Sequence, residues 1–479
     1  MSCLVLVVIP SMENAYHNLM DFVAIVPPIG LLSIAATAER SGRKVVIIDA
    51  DAERLSIEQT IARIAELQPA YVGSTIMTAT MDLTREFYAR LKERRPAVTV
   101  IVGGPHVSAL PERTLVDAPA IDIAVVGEGD ETIIDILDVL DAKGALSSVR
   151  GIAFRDGSRV VVTENRGQID DLGILPMPAY HLLDKALYRS YGWNRWVGGH
   201  RTPVGVIFTA RGCIGKCNFC AAHTVFGRGI RTFPIEMVKR QLDYLLREWQ
   251  IRILYFQDDT FTANRRMVEA LCDYIVEQGY HTRLEIMVSS RVDTIHPPTL
   301  KKMRAAGVRW ICFGIESANQ GILDRMGKKI SVEEIRKAYH LVREAGIFAA
   351  GNFMIGHIGE TRETALDTIN LAVELDQEYV SFAIAIPLPG TELYDYCLDN
   401  GIGLPAWNDF GNVNTPPIPL NQALGADELV ELRNLAVNRF FKRPIYLYRM
   451  LTRMRPLYLI QDFIKMYLAI RKEKAARRF

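Results

Sequence analysis

Apolar residues in the first 145 positions fall into short unbroken runs: "CLVLVVIP" (3–10), "KVVIIDAD" (44–51), "YVGSTIM" (71–77), "TVIVGGP" (99–105) and "IDIAVVGEG" (121–129). Between them the apolar positions recur at helical spacing, in "GLLSIAATAERSG" (30–42) and over 57–67, 81–94 and 131–142. A run apolar at every position is buried on both faces, and alternation with helices predicts a parallel, doubly wound sheet. Several of these strands end in small residues: Gly73-Ser74-Thr75, Gly103-Gly104-Pro105 and Gly127-Glu128-Gly129. In open parallel sheets ligands sit beyond the carboxyl ends of the strands, where small residues admit them close to the backbone.

Residues 146–200 read as a connector. "GIAFRDGSRVVVTEN" is a hairpin turning at Asp156-Gly157, and "LPMPAYHLL" is a proline-broken link. Tyr191, Trp193 and Trp196 on this connector either line a pocket or simply pack. A second alternation then begins. Strands are expected at 205–210, 251–257, 284–290, 310–316, 348–356 and 379–387, with helices at 234–249, 265–278, 297–306, 331–345 and 361–375. In the first of these helices Ile235, Val238, Leu242, Leu245 and Leu246 share one face. Six strands separated by helices predict a (β/α)6 partial TIM barrel over 201–400, with its chemistry at the C-terminal strand ends. Residues 401–479 read as a helical region.

Length agrees with more than one core: 479 residues exceed a single ordinary domain. Net charge is +1, but twelve Lys/Arg against two Asp/Glu lie in 439–479, leaving about −9 for the rest. This tail also carries Tyr, Leu and Phe, so it reads either as a helical cap with a solvated basic face or as a membrane-surface helix. Nothing in it matches a nucleic-acid recognition motif, so no nucleic-acid partner is expected. The sequence shows no run of 18 apolar residues and no secretory n-region, so the expected location is the cytoplasm, peripheral to the inner face of the membrane if the tail binds there.

Seven cysteines are too few for a disulfide scaffold, yet three of them, Cys213, Cys217 and Cys220, fall in "TARGCIGKCNFCAA" (209–222) as C-x3-C-x2-C. The other four, Cys3, Cys272, Cys312 and Cys397, read as small buried hydrophobes. A structural zinc would need His223 as fourth ligand, and a disulfide would leave one thiol over. Three thiolates on a [4Fe–4S] cube, with one iron left open, fit the spacing better, and Arg211 and Lys216 would temper the cluster's charge.

C-x3-C-x2-C with Phe219 before the last cysteine, following the first barrel strand "GVIFTA", resembles the radical S-adenosylmethionine superfamily. The resemblance implies that the open iron binds S-adenosylmethionine, which is cleaved to a 5′-deoxyadenosyl radical, and that an electron donor such as flavodoxin or ferredoxin supplies the electron. It also implies S-adenosylmethionine contacts from Phe219, from Asp258 or Asp259 in "YFQDDTF", from Ser289 and Arg291 in "VSSR", and from Glu316 in "FGIES". For the aspartate pair the alternative is a helix cap by Asp259 or Thr260, for Arg291 an ion pair with Asp293, and for Glu316 satisfaction by a neighbouring Arg. "GNFMIGHIGET" and "PLPGTELY" resemble further turns of the superfamily, with His357 and Ile358 replacing Leu and Pro; His357 is either solvated or faces substrate.

"PPIGLLSIAATAERSGRKVVIIDAD", "VGGPHVSALPE" and "VVGEGDET" are similar to the Rossmann-like cobalamin-binding domain of the cobalamin-dependent radical S-adenosylmethionine proteins. The two resemblances cover about residues 1–400. They imply cobalamin at Ser74, Thr75, Gly103, Gly104, Gly127, Glu128 and Gly129, lying between the domains. The D-x-H-x-x-G signature does not occur, so no histidine is expected as lower cobalt ligand, and His106 reads as a loop histidine. The implied function is methylation of an unactivated carbon or phosphorus of a small molecule, lipid-like and isoprenoid substrates included. Cyclisation or oxidative ring rearrangement with the same cofactors is the alternative.

Overall fold

The computed structural model describes residues 3–11, 25–190, 202–410, 417–420 and 423–453. Tyr191, Trp193, Trp196 and the tail beyond Arg453 lie outside the described residues.

The first sheet has seven strands: β1 (Cys3–Val8), β2 (Lys44–Asp49), β3 (Tyr71–Thr75), β4 (Thr99–Gly103), β5 (Ile123–Val125), β6 (Ile152–Asp156) and β7 (Arg159–Val162). Their order is β2-β1-β3-β4-β5-β6-β7. The first five run parallel. Successive residues of β1 explain the double winding. Leu4 and Leu6 face one core, shared with Leu32 and Ala35 of α1 (Ile29–Arg40) and Ile133 and Ile136 of α4 (Gly129–Asp141). Val5 and Val7 face the other, shared with Ile61 and Ile64 of α2 (Ile57–Leu67) and Phe87 and Leu91 of α3 (Met81–Arg94). Period-two alternation on a strand covered on both sides gives exactly such a continuous apolar run. The hairpin expected at Asp156-Gly157 forms, within the connector region, and joins the first sheet. Its strands β6 and β7 pair antiparallel onto β5 and extend the first sheet, covering an edge that would otherwise be open.

The second sheet is the partial barrel. Its strands are β9 (Thr202–Ile207), β12 (Ile253–Phe256), β13 (Glu285–Ser290), β14 (Val308–Glu316), β15 (Phe348–Ile355) and β16 (Tyr379–Ile384), all parallel. A two-residue strand, β8 (Arg189–Ser190), adds antiparallel to β9. Helices α5 (Ile235–Arg247), α6 (Arg265–Glu277), α7 (Pro297–Ala305), α8 (Val332–Glu344) and α9 (Arg362–Glu374) connect them. In α5 the expected stripe buries Val238, Leu242, Leu245 and Leu246, joined by Met237. A two-stranded ribbon that periodicity did not reveal, β10 (Ala210–Arg211) with β11 (Arg231–Thr232), ties off the base of the cysteine loop. Two helices, α10 (Ala426–Phe441) and α11 (Pro444–Arg453), close the described chain, and α10 packs on α9 and β16.

Candidate active site

The three cysteines lie on the loop between the two ribbon strands, above the carboxyl ends of the barrel strands. The backbone closes the loop: Gly229 N–H donates to the Cys213 carbonyl at 3.0 Å. The Sγ atoms of Cys213 and Cys217 stand 3.4 and 3.6 Å from the point where a Cβ on Gly215 would lie, so both thiols turn to one side of the loop. Burial pushes the Cys217 and Cys220 thiols up, while Lys328 and Arg291 pull Cys217 back down. Among the described residues no three His, Cys, Asp or Glu side chains converge on a point for one ion. A cubane instead asks for thiolates spread to separate corners, and the chemistry of three thiols with two adjacent cations fits it. The nitrogen Nδ1 of His223 is engaged with the Cys220 carbonyl at 2.9 Å.

The cations near the thiols are not those expected from the sequence. Arg211 turns away, and Lys216 is exposed. Arg291 and Lys328 take the place. Arg291 forks onto Asp293 through Nε at 3.0 Å and Nη2 at 2.8 Å, so the expected alternative partner is the one observed, and its Nη1 faces the loop at Gly215. The partner of Glu316 is Lys328, Nζ to Oε1 2.9 Å, with both residues buried. No arginine fills that role. Three further features mark this pair. Glu316 sits at a register shift between β14 and β15 with φ 68°, a backbone strain that persists only where surroundings enforce it. A side-chain carbon on Gly314 would lie 2.6 Å from Glu316 Oε1 and 2.7 Å from Lys328 Nζ, so only glycine leaves the pair its space. Lys328 Nζ also lies 6.0 Å from the centre of the Phe219 ring.

The two rim aspartates separate in role. Asp258 is buried and turned inward: its Oδ1 accepts from Thr209 N (2.9 Å), Thr209 Oγ1 (2.9 Å) and Ala210 N (2.5 Å). Burial pushes its carboxyl up to about 7, and it pins the exit of β9 into the cysteine loop. Asp259 is exposed at the rim with no protein partner among the described residues, and it acts electrostatically on Cys220. Asn264, not Asp259, caps α6. Ser289 is exposed on the inner face of β13. His357 is not solvated. It is fully buried, lowered to about 4 by that burial, and its Nε2 meets Asn218 Oδ1 at 3.0 Å. Asn218 in turn bonds the 325–326 backbone, so the cysteine loop is fastened from below.

Between the sheet edge of the first domain and the barrel lies a cavity of about 440 Å³. Ser74, Thr75, Gly103, Gly104, Gly127, Glu128 and Gly129 all line it, facing Val206, Phe208 and Phe226 of the barrel side. Strand-end backbone at the glycines, ringed by apolar side chains such as Ile34, Ile133 and Phe208, forms the kind of surface on which a broad, flat ring can lie. Gly104 has φ 102°, and a Cβ there would sit 2.4 Å from Thr75 Oγ1. The fold itself therefore demands this glycine. His106 is not a loop residue: it is buried behind the floor, 3.2 Å from Thr78 Oγ1 and edge-on to Trp407. Glu128 lines the cavity, but its carboxylate is consumed. Arg211 Nη1 reaches Oε1 at 2.7 Å, Arg231 Nη1 reaches Oε2 at 2.6 Å, and Ile169 N–H donates to Oε2 at 3.0 Å. Arg211 also holds Asp130 at 2.8 Å. Burial pushes the Asp130 carboxyl up, but Arg211 outweighs it and holds the group below the usual carboxylate range. This buried charge cluster joins the cavity wall to a residue two positions before Cys213.

The profile of the B12 binding domain matches residues 19–137, and that of the radical SAM superfamily matches 207–372. An uncharacterized methyltransferase of Pyrococcus horikoshii is 32% identical over 441 residues, covering 92% of this chain and 93% of its own. The anaerobic magnesium-protoporphyrin IX monomethyl ester cyclase of Cereibacter sphaeroides is 28% identical over 361 residues, 74% of this chain but 57% of its own. Among solved structures, the radical S-adenosylmethionine methyltransferase TsrM of Kitasatospora setae, with cobalamin and a [4Fe–4S] cluster bound, superposes with a TM-score of 0.67 at 19% identity over 83% of this chain and 76% of its own. Two matched domains in this order, on the fold and the cysteine loop described, make the chain a member of the cobalamin-dependent radical S-adenosylmethionine enzymes, whose cofactors are a [4Fe–4S] cluster, S-adenosylmethionine and cobalamin.

Proposed function

We propose that this enzyme methylates an unactivated carbon, or a phosphorus, of a small molecule at the junction of its two domains. The observation that carries the reading is the interdomain cavity, whose wall is fixed through Arg211 to the loop bearing Cys213, Cys217 and Cys220. When bound, the cluster with S-adenosylmethionine supplies a 5′-deoxyadenosyl radical, and cobalamin supplies the methyl group.

The chain's own residues bind, orient and exclude water. Cys213, Cys217 and Cys220 would hold the cluster. Asp259 and Ser289, both open at the rim, would take the ammonium and a hydroxyl of S-adenosylmethionine. Arg291 offers the one nitrogen, Nη1, that Asp293 and the Lys328 carbonyl leave free to meet a carboxylate. Glu316 would accept from the ribose hydroxyls while Lys328 offsets its charge, and Phe219 would pack beside them. Ser74, Thr75, Gly103, Gly104, Gly127 and Gly129 would form the cobalamin bed, with Glu128 holding the wall instead of the ligand.

A lipid-like substrate met at a membrane surface is a finer reading, and α11 supports it. Ile445, Leu447 and Tyr448 are 46, 42 and 63% exposed there. No helix of the described residues is long and apolar enough to cross a membrane. Anaerobic turnover with S-adenosylmethionine deuterated in its methyl group tests the function. Label in the product supports methylation. Deoxyadenosine with an unlabelled, cyclised product would replace methylation with ring chemistry.

A further inference from the structure

The partial barrel is open on one side, where its last strand, β16, pairs with β15 alone among the described residues. Along that free edge runs a groove of about 450 Å³ whose far wall is α10. The helix lies antiparallel to the strand. Leu429 packs where a Cβ on Gly356, at the carboxyl end of β15, would lie, and the Phe441 ring meets that of Tyr379, at the start of β16, at 6.1 Å. Arg433, Val437 and Phe441 all line the groove at four-residue intervals, so one stripe of α10 faces it. The cation stands toward the carboxyl ends of the strands and the apolar groups below it. Arg433 is half-buried and has no ion pair or hydrogen bond among the described residues. Its neighbours are all engaged: Arg362 holds Glu428 and Glu431 of α10 at 3.0 and 2.7 Å, and Arg443 and Arg449 hold Asp376 at 3.2 and 2.6 Å. Asp409, an acid on the groove wall, has contacts of its own. The groove also opens inward. Ser381 lines it and pairs in register with Asn352, which pairs with Gly314. Residues paired across neighbouring strands point to one face, and Gly314 is the position that leaves the Glu316–Lys328 pair its space. Two strand spacings, about 10 Å, thus separate Ser381 from Gly314. Asn352 between them is exposed, so this row is not packed over.

We propose that this groove seats the substrate, and that the substrate is an amphiphile with one carboxylate or phosphate on Arg433 and an apolar chain along Val437 and Phe441. The inference deepens the proposed function and rests on it in one respect: that reading makes the occupant a substrate. Arginine forks onto either anion through paired N–H donors. A lone cation on an otherwise apolar wall is the sparse polar anchor that fixes orientation in small-molecule pockets, and the volume lies in their range. The chain leaves past Phe441 toward α11, where Ile445 and Leu447 are exposed. The anionic end lies where the row through Ser381 and Asn352 leads to the rim, so the part of the molecule nearest its anion is the part presented to the chemistry.

The test is calorimetry on the cofactor-loaded enzyme, with decyl phosphate, decanoate and uncharged decanol as probes below micelle-forming concentrations. The wild type is compared with Arg433→Met, Arg433→Lys and Val437→Asp. The proposal expects saturable binding of at least one anionic probe at one per chain, with decanol about 10-fold or more weaker. Which anion binds names the head group. Arg433→Met loses about 10-fold or more in affinity for that anion and leaves decanol unchanged, and Arg433→Lys recovers part of the loss. Val437→Asp weakens all three probes. Because Arg433 has no partner to lose, the unfolding midpoint and the iron and cobalamin contents of Arg433→Met stay at wild-type values. Decanol binding as tightly as the anions overturns the proposal, as does unchanged anion binding in Arg433→Met or the absence of saturable binding. An equal loss of all three probes in Arg433→Met with a lowered unfolding midpoint also overturns it, by showing a purely structural role. Binding that depends on Arg433, found together with an unlabelled product in the methyl-label experiment, overturns methylation and leaves the groove standing.

Discussion

The two regions proposed to hold the cofactors are built by opposite means. The cavity of the first domain joins strand-end backbone to apolar side chains: Ser74, Thr75, Gly103 and Gly104 bare the ends of two parallel strands, Ile34, Ile133 and Phe208 stand around them, and the charges at its wall are spent on one another. The rim of the barrel is made of side chains: three thiols, a buried Lys328–Glu316 pair whose Glu316 is held at positive φ, and a forked Arg291. A broad ring needs a flat bed where strand ends come close, with apolar side chains around it. A charged cluster and a zwitterionic nucleoside need groups held at fixed points against burial, and such groups are costly unless paired.

The contrast predicts how each region fails. The largest effect belongs to the rim. Lys328→Met leaves Glu316 buried and unpaired, with an expected loss of ~3–5 kcal/mol in folding stability. Adding Glu316→Gln removes the unpaired charge and restores most of the loss, as read from denaturant unfolding of both variants. An intermediate effect belongs to Asp258. Its carboxyl is raised to about 7 in the folded protein against a usual value of 3.8. The folded state thus binds the extra proton, and stability falls as pH rises from about 4 to 7. Asp258→Asn should remove this slope, ~2–4 kcal/mol across the window. A slope that persists would place its origin elsewhere. The smallest effect belongs to the cavity floor. Gly104→Ala meets both a positive φ and Thr75, costing ~1–3 kcal/mol. It should weaken cobalamin retention while leaving iron content unchanged.

These differences also explain what was legible in the sequence. The strands and helices of both domains show through because full burial writes continuous apolar runs and helical stripes, as in β1 and α5. The cysteine spacing is local and reads directly. Partnerships across the chain do not. Lys328 lies 12 residues from Glu316, and Arg211 lies 83 from Glu128. Neither pairing leaves a periodic trace, so Arg211 reads as a neighbour of the thiols when it is the bolt between domains. The buried His357 gives no signal of its link to Asn218, because one histidine in a turn fits solvent as well as core. The hairpin at Asp156-Gly157 is plain in the sequence, but its docking on β5 depends on an edge only the assembled sheet creates.

The central claim is that two distinct sites, one of thiols and one of bare strand ends, meet at a single junction. Anaerobic reconstitution of the triple variant Cys213→Ala, Cys217→Ala, Cys220→Ala, with iron and cobalamin quantified per chain, tests it most directly. The account predicts cobalamin retained near the wild-type level and cluster iron lost entirely. Cluster iron that survives the triple substitution, or cobalamin that disappears with it from a folded protein, would contradict it.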